Sequence, residues 1–138
     1  GEVSAEAKDL MEATRTALER GVAQVKPGAR VGDISEAVQT YAEARGYAVV
    51  RQYVGHGIGR AMHEDPQVPN YGVAGRGHVL RKGMAIAIEP MLNVGTWETE
   101  QLEDGWTVVT ADRALCAHFE DTVAIFEDGA EVLTSGVI

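Results

Sequence analysis

The sequence predicts an α+β fold, with two helices packed on one face of a mostly antiparallel sheet. Three observations predict it. Apolar residues recur at helical spacing through the first 46 positions, the pattern changes to valine- and tyrosine-rich runs after Gly46, and short turn signals then punctuate the chain to its end. Runs of helix followed by runs of strand, with no βαβ alternation, favour a layered α+β arrangement.

The first helix is expected from Ser4 to about Val25. Leu10, Met11, Ala17, Leu18 and Val22 form its stripe, Ser4 can cap its start, and Lys26-Pro27-Gly28 ends it. Asp33 with Glu36 three residues on is a capping-box-like pair that opens a second helix through Ile34, Ala37, Val38, Tyr41 and Ala42 to Gly46. Strands are expected at Tyr47 to Val54, Met84 to Leu92, Trp106 to Thr110, His118 to Glu127 and Glu131 to Thr134. Turn signals at Lys82-Gly83, Asp104-Gly105 and Asp128-Gly129 separate the later ones. The long Val68 to Arg81 stretch reads as a loop.

At 138 residues, 45% of them hydrophobic, the chain is long enough for one domain over 1–138, and no composition shift divides it. A net charge of −9 disfavours nucleic acid or an anionic membrane as the main partner. The longest apolar runs, MAIAI and TVAIF, fall far short of the roughly 20 residues of a spanning helix, and no charged-then-apolar leader opens the chain. The expectation is a soluble, cytoplasmic protein. The one cysteine, Cys116, cannot form an internal disulfide, and its apolar context (ALCAHF) argues against a nucleophile.

Histidine and carboxylates on separate extended segments carry the chemistry. His56 lies between Gly55 and Gly57, and glycine permits close approach to a ligand. Glu89 sits in the otherwise apolar run MAIAIEPM, and strand alternation places it beside the small Ala85 and Ala87. Glu120 repeats the situation in AHFEDTVAI. A carboxylate in such surroundings needs a cation or a metal. Either glutamate alone fits an arginine partner; His56, Glu89 and Glu120 together fit a divalent ion bound by nitrogen and oxygen, and hence hydrolysis. His63 is not in the zinc-protease helix pattern, because Pro66 breaks any helix before a second histidine at i+4, so a catalytic hydrogen-bonding role or a simple turn role suits it. His78 reads as solvated, and His118, though on the face of Glu120, is left outside the site.

The segments VKPGARVGDISEAV, GHGIGRAMHEDPQVPNYG, LRKGMAIAIEPM and DGWTVVTADRALCAHFEDT resemble the C-terminal half of the bacterial type I methionine aminopeptidases, across essentially the whole chain. GHGIG and IEP alone also admit proline-specific peptidases of the same pita-bread fold; IEPM followed by DGWTV favours the methionine enzymes. The resemblance implies half of a pita-bread fold, with His56, Glu89 and Glu120 as metal ligands and Glu120 bridging two ions. It implies His63 at the scissile amide, Glu89 in proton transfer, and Met62 and Trp106 lining a methionine pocket. The cofactors implied are divalent Co, Mn, Fe or Zn, up to two in a complete site, and the substrates are N-terminal methionine peptides of nascent proteins.

Two departures from the family pattern stand out. Asp121 occupies a position that is usually histidine, and no segment matches the two aspartates and further histidine that complete the family site. The chain therefore reads as a fragment, a processed chain or one half of a split protein, with low activity expected in isolation. A homodimer about a real twofold, or a separate N-terminal half, is expected to complete it. The competing function classes are a non-catalytic peptide- or ribosome-binding module and a proline-specific dipeptidase.

Overall fold

In the computed structural model, which describes residues 1–135, two helices and ten short strands follow one another in the expected order. Helix α1 spans Ala5–Val22 and α2 spans Val31–Ala44. Every paired strand is antiparallel. Among the described residues, no helix is long and apolar enough to cross a membrane.

Ser4 caps α1 as expected, its hydroxyl accepting the Ala7 N–H at 3.1 Å. The buried face of α1 is Leu10, Ala13, Thr14, Ala17, Leu18 and Gly21, whereas Met11, assigned to the stripe by spacing, is 38% exposed. Small residues win that face because α2 approaches closely: a Cβ on Gly21 would lie 2.9 Å from Val38 Cγ2 and 3.3 Å from Ile34 Cγ2. Helix α2 begins two residues before Asp33. Asp33 is its third residue, and its carboxylate accepts the Arg30 N–H at 2.7 Å and the Gly75 N–H at 2.7 Å. Those two bonds hold the Asp33 carboxyl below its ordinary pKa. At the other end Gly46 takes φ 83°, with Gly46 N–H donating to Glu43 and Tyr47 N–H to Ala42, the Schellman arrangement that glycine permits.

The strands are β1 (Ala48–Val49), β2 (Gly55–Gly57), β3 (Glu64–Val68), β4 (Ala85–Ile88), β5 (Met91–Asn93), β6 (Thr99–Gln101), β7 (Val108–Thr110), β8 (Cys116–His118), β9 (Asp121–Ile125) and β10 (Ala130–Val132). They form a five-stranded sheet in the order β10-β9-β4-β2-β3, a three-stranded sheet β1-β5-β8 and a hairpin β6-β7. The expected strand from Tyr47 is cut short at Val49, where the chain bends and Arg51 stacks over the Tyr71 and Trp97 rings at 5.5 and 5.0 Å. Strands β3 and β6 were not legible from alternation, and β3 contains Pro66.

The two longest expected strands are each broken in the middle. Met84 to Leu92 becomes β4 and β5, interrupted at Glu89-Pro90; His118 to Glu127 becomes β8 and β9, interrupted at Phe119-Glu120. The interruptions face each other. Strands β4 and β9 pair Ile88 with Asp121, strands β5 and β8 pair Met91 with His118, and both ladders keep one common register. Pro90 has no N–H to donate, and its carbonyl accepts the Phe119 N–H at 3.3 Å across the gap. In that register Glu89 stands directly opposite Glu120.

Ile86 and Ile88 of β4 point into the core beneath the helices, with Leu10, Ile34, Val38, Leu80, Leu92 and Val123. Ala87 is equally buried but lies outside that cluster, on the other face. That second face carries the functional groups.

Candidate metal centre

His56, Glu89 and Glu120 meet on this face. One ligand atom from each lies within 4.8 Å of the others, with His56 buried, Glu89 half-buried and Glu120 exposed. Three local features bring them together. The ladder break sets the two glutamates opposite each other, β2 pairs His56 with Ala87 one strand over, and Ala87 leaves space for the larger groups beside it. Asn70, fully buried, donates its side-chain amide to the Glu89 carbonyl at 3.2 Å and holds the backbone at the break. Sequence reasoning missed Asn70, for which the Pro69-Asn70-Tyr71-Gly72 loop gave no signal beyond a turn.

Gly55 and Gly57 serve a different contact from the one expected. A Cβ on Gly55 would lie 2.3 Å from the Ala87 carbonyl oxygen, and one on Gly57 would lie 2.2 Å from that of Asp65. The glycines let neighbouring strands, not a ligand, approach the backbone beside His56.

The donor set suits a cation. His56 Nδ1 lies 2.8 Å from the Gly57 carbonyl oxygen, which is an acceptor, so that nitrogen carries the hydrogen. Nε2 then offers its lone pair toward Glu89 Oε1, 3.3 Å away. A lone pair facing a carboxylate oxygen is repulsive unless positive charge, a second ring proton or a metal ion, lies between them. Among the described residues no lysine or arginine forms an ion pair with Glu89 or Glu120; the partners of Glu89 are His56 and His118. The arginine reading that suits either glutamate alone therefore finds no support for the pair.

His63 is exposed on the turn after β2, its ring centred 4.2 Å from that of His56 and tilted by 50°. The preceding turn is tied by Glu64, whose carboxylate accepts the Ala61 N–H at 2.8 Å. Met62 and Trp106 are 71% and 87% exposed. An open apolar groove adjoins the cluster instead, walled by Tyr53, Met91, Val108, Leu115, Cys116 and His118. Desolvation by the surrounding protein pushes the Cys116 thiol up, consistent with an unreactive cysteine.

His118, set aside on sequence grounds, belongs to the cluster's surroundings: its Nε2 lies 3.3 Å from Glu89 Oε2. The signal was available in the pairing register. Glu89 opposite Glu120 makes His118 the diagonal neighbour of Glu89, and diagonal cross-strand neighbours are within reach of long side chains.

Residues 1–127 match the sequence profile of metallopeptidase family M24. The chain belongs to that family. It is 57% identical over 134 residues to methionine aminopeptidase B of Synechocystis, a match covering 97% of this chain and 49% of that protein. The crystal structure of methionine aminopeptidase from Thermotoga maritima superposes with a TM-score of 0.94 at 54% identity, over 97% of this chain and 54% of that one. The prolidase of Pyrococcus horikoshii matches more distantly, with a TM-score of 0.71 at 26% identity over 98% of this chain and 33% of that one. The chain thus spans about half the length of the M24 methionine aminopeptidases it matches, and it carries the corresponding part of their pita-bread fold. Membership in a metallopeptidase family implies use of a divalent metal, in agreement with the donor set.

Proposed function

We propose that this chain is part of a metal-dependent aminopeptidase that removes N-terminal methionine from newly made proteins, with His56, Glu89 and Glu120 as metal ligands. The observation that carries the reading is the convergence of one imidazole and two carboxylates, without an arginine or lysine partner among the described residues, in a chain whose methionine aminopeptidase relatives are about half identical to it. The donors are nitrogen and oxygen, which suit Mn, Fe, Co and Zn. A divalent ion held there supplies Lewis acidity toward a carbonyl and makes water more acidic.

The remaining roles belong to the protein. Glu89, the more buried of the two carboxylates, takes and returns the proton that passes from water to the leaving amine. His63, beside His56, offers a ring N–H to the amide being cleaved. Met62 and Trp106 contact the methionine side chain, where a thioether packs on an aromatic ring; their exposure fits a pocket that closes when further polypeptide covers it.

Three donors hold one ion, whereas two-ion hydrolysis needs more carboxylates. Low turnover is therefore expected of these 138 residues alone, with a second copy or a further segment of the same fold completing the site.

Calorimetric titration with Mn or Co tests the reading, with Glu120→Ala as control and Met-Ala and Xaa-Pro peptides assayed alongside. One ion per chain, lost in the variant, with metal-dependent release of methionine, is the expected result. A folded chain that binds no metal refutes it, and cleavage confined to Xaa-Pro peptides transfers the assignment to the proline-specific class that the prolidase likeness represents.

A further inference from the structure

We infer that His118 is a positioning residue for the metal site: it holds the outer oxygen of Glu89, so that the carboxylate presents its other oxygen to the ion. The inference rests on the assignment of His56, Glu89 and Glu120 as ligands. It adds a residue that neither the charge pattern nor the spacing of those three contains.

The geometry separates the two oxygens of Glu89. Oε1 lies 3.3 Å from His56 Nε2 and Oε2 lies 3.3 Å from His118 Nε2, so the two imidazoles grip the carboxylate from different ends. His118 is not itself one of the convergent donors. The set whose ligand atoms all fall within 4.8 Å of one another contains His56, Glu89 and Glu120 and omits His118.

The carboxylate has reason to be held. The Glu89 side chain is only 12% exposed, so water satisfies little of it, and no lysine or arginine among the described residues pairs with it. A buried carboxylate oxygen without a donor is costly. His118 can supply that donor because the group it faces accepts only, which requires its Nε2 to carry the hydrogen. At 3.3 Å the contact is just longer than an ordinary N–H···O bond, and the inference requires the ring to turn toward Oε2. Room for that turn exists, since the His118 side chain is 41% exposed on the wall of the groove. The backbone under it is fixed by the pairing of His118 with Met91.

Groups that orient a ligand from outside the coordination sphere set metal affinity without changing the ligand count. The test is titration of Mn and Co into the wild-type chain, His118→Ala and His118→Gln, with the Co(II) visible spectrum recorded at saturation and folding checked by thermal melting. Removing the donor should weaken binding by about 10–100-fold with stoichiometry and the Co(II) bands unchanged. Glutamine, whose amide N–H can reach the same oxygen, should restore most of the loss. Three results overturn the inference: unchanged affinity in a folded His118→Ala, no recovery in His118→Gln, or Co(II) bands that shift as they do when a ligand is lost. Failure of the wild-type chain itself to bind metal overturns the ligand assignment, and His118's role with it, before any variant is compared.

Discussion

Replacing Gly57 by alanine puts a methyl carbon 2.2 Å from the Asp65 carbonyl oxygen and 2.7 Å from its carbonyl carbon. Both neighbours are backbone, so no rotamer change relieves the clash. A comfortable C···O approach is about 3.3 Å, which means β2 and β3 have to part by roughly 1 Å. Overpacking of this kind costs about 1–3 kcal/mol. For a chain of 138 residues each kcal/mol lowers the melting temperature by about 3–4 °C, so Gly57→Ala should melt about 3–12 °C below wild type. The displacement acts next to His56, whose Nδ1 is anchored on the carbonyl of this same residue, so Mn affinity should fall together with stability. Gly59→Ala is the matched control. Its Cβ would meet Glu64 Oε2 at 2.8 Å, the end of a flexible side chain that can swing toward solvent. Calorimetric melting and Mn titration of both variants decide the matter. If Gly57→Ala melts with the wild type, or Gly59→Ala falls as far, strand crowding is not what the glycine at 57 is for.

Two further outcomes test the frame that carries the site. Ile34→Ala empties a fully buried position between the helices and should cost about 2–5 kcal/mol in urea unfolding. Met11→Ala, on the exposed side of α1, should change stability by no more than about 0.5 kcal/mol; comparable losses would restore Met11 to the buried stripe. Asp33 has a folded-state pKa below its ordinary 3.8 because backbone N–H groups of Arg30 and Gly75 hold its carboxylate. Its stabilising effect is therefore present above pH 3.8 and lost as pH falls through the lower folded value. The deficit of Asp33→Ala relative to wild type, measured by denaturant unfolding, should shrink steadily below that pH, and a deficit that stays constant there would show that the carboxylate charge plays no part.

Where the fold was legible in the sequence, one local signal was enough. Ser4 as a cap, Gly46 as a stop and the stripe of Leu10, Ala17, Leu18, Ile34 and Val38 each act within a few residues, and all appear where spacing placed them. The misplacements involve partners distant in sequence. Met11 fits the helical period, but the neighbour that decides the face is α2, which demands the small Ala13, Ala17 and Gly21. Asp33 with Glu36 resembles a capping box and predicts the start of α2 at Asp33; its carboxylate instead reaches back to Arg30 and across to Gly75 in a loop 42 positions away. Strand β3 does not read as a strand because its sequence, EDPQV, offers only Pro66 and Val68 as inward-facing apolar residues, and proline is a poor strand former.

The site was legible to the extent that composition alone constrains it. Two carboxylates in apolar strands demand a cation, and His56, flanked by Gly55 and Gly57, is the nitrogen donor the local pattern singles out. What composition could not supply was the register. Reading Met84 to Leu92 and His118 to Glu127 as unbroken strands gives the faces of Glu89 and Glu120 but not their alignment, and alignment makes them partners. Once Ile88 pairs with Asp121 and Met91 with His118, the interval between the ladders has one solution, with Glu89 facing Glu120 and His118 diagonal to Glu89. Pro90 withdraws a ladder donor at that point, which frees the two carboxylate-bearing residues from regular pairing. The proline that interrupts the strand and the carboxylate before it therefore act as one device. Its consequence is that His118, which strand alternation ties only to the face of Glu120, gains Glu89 as a partner as soon as the strands are aligned.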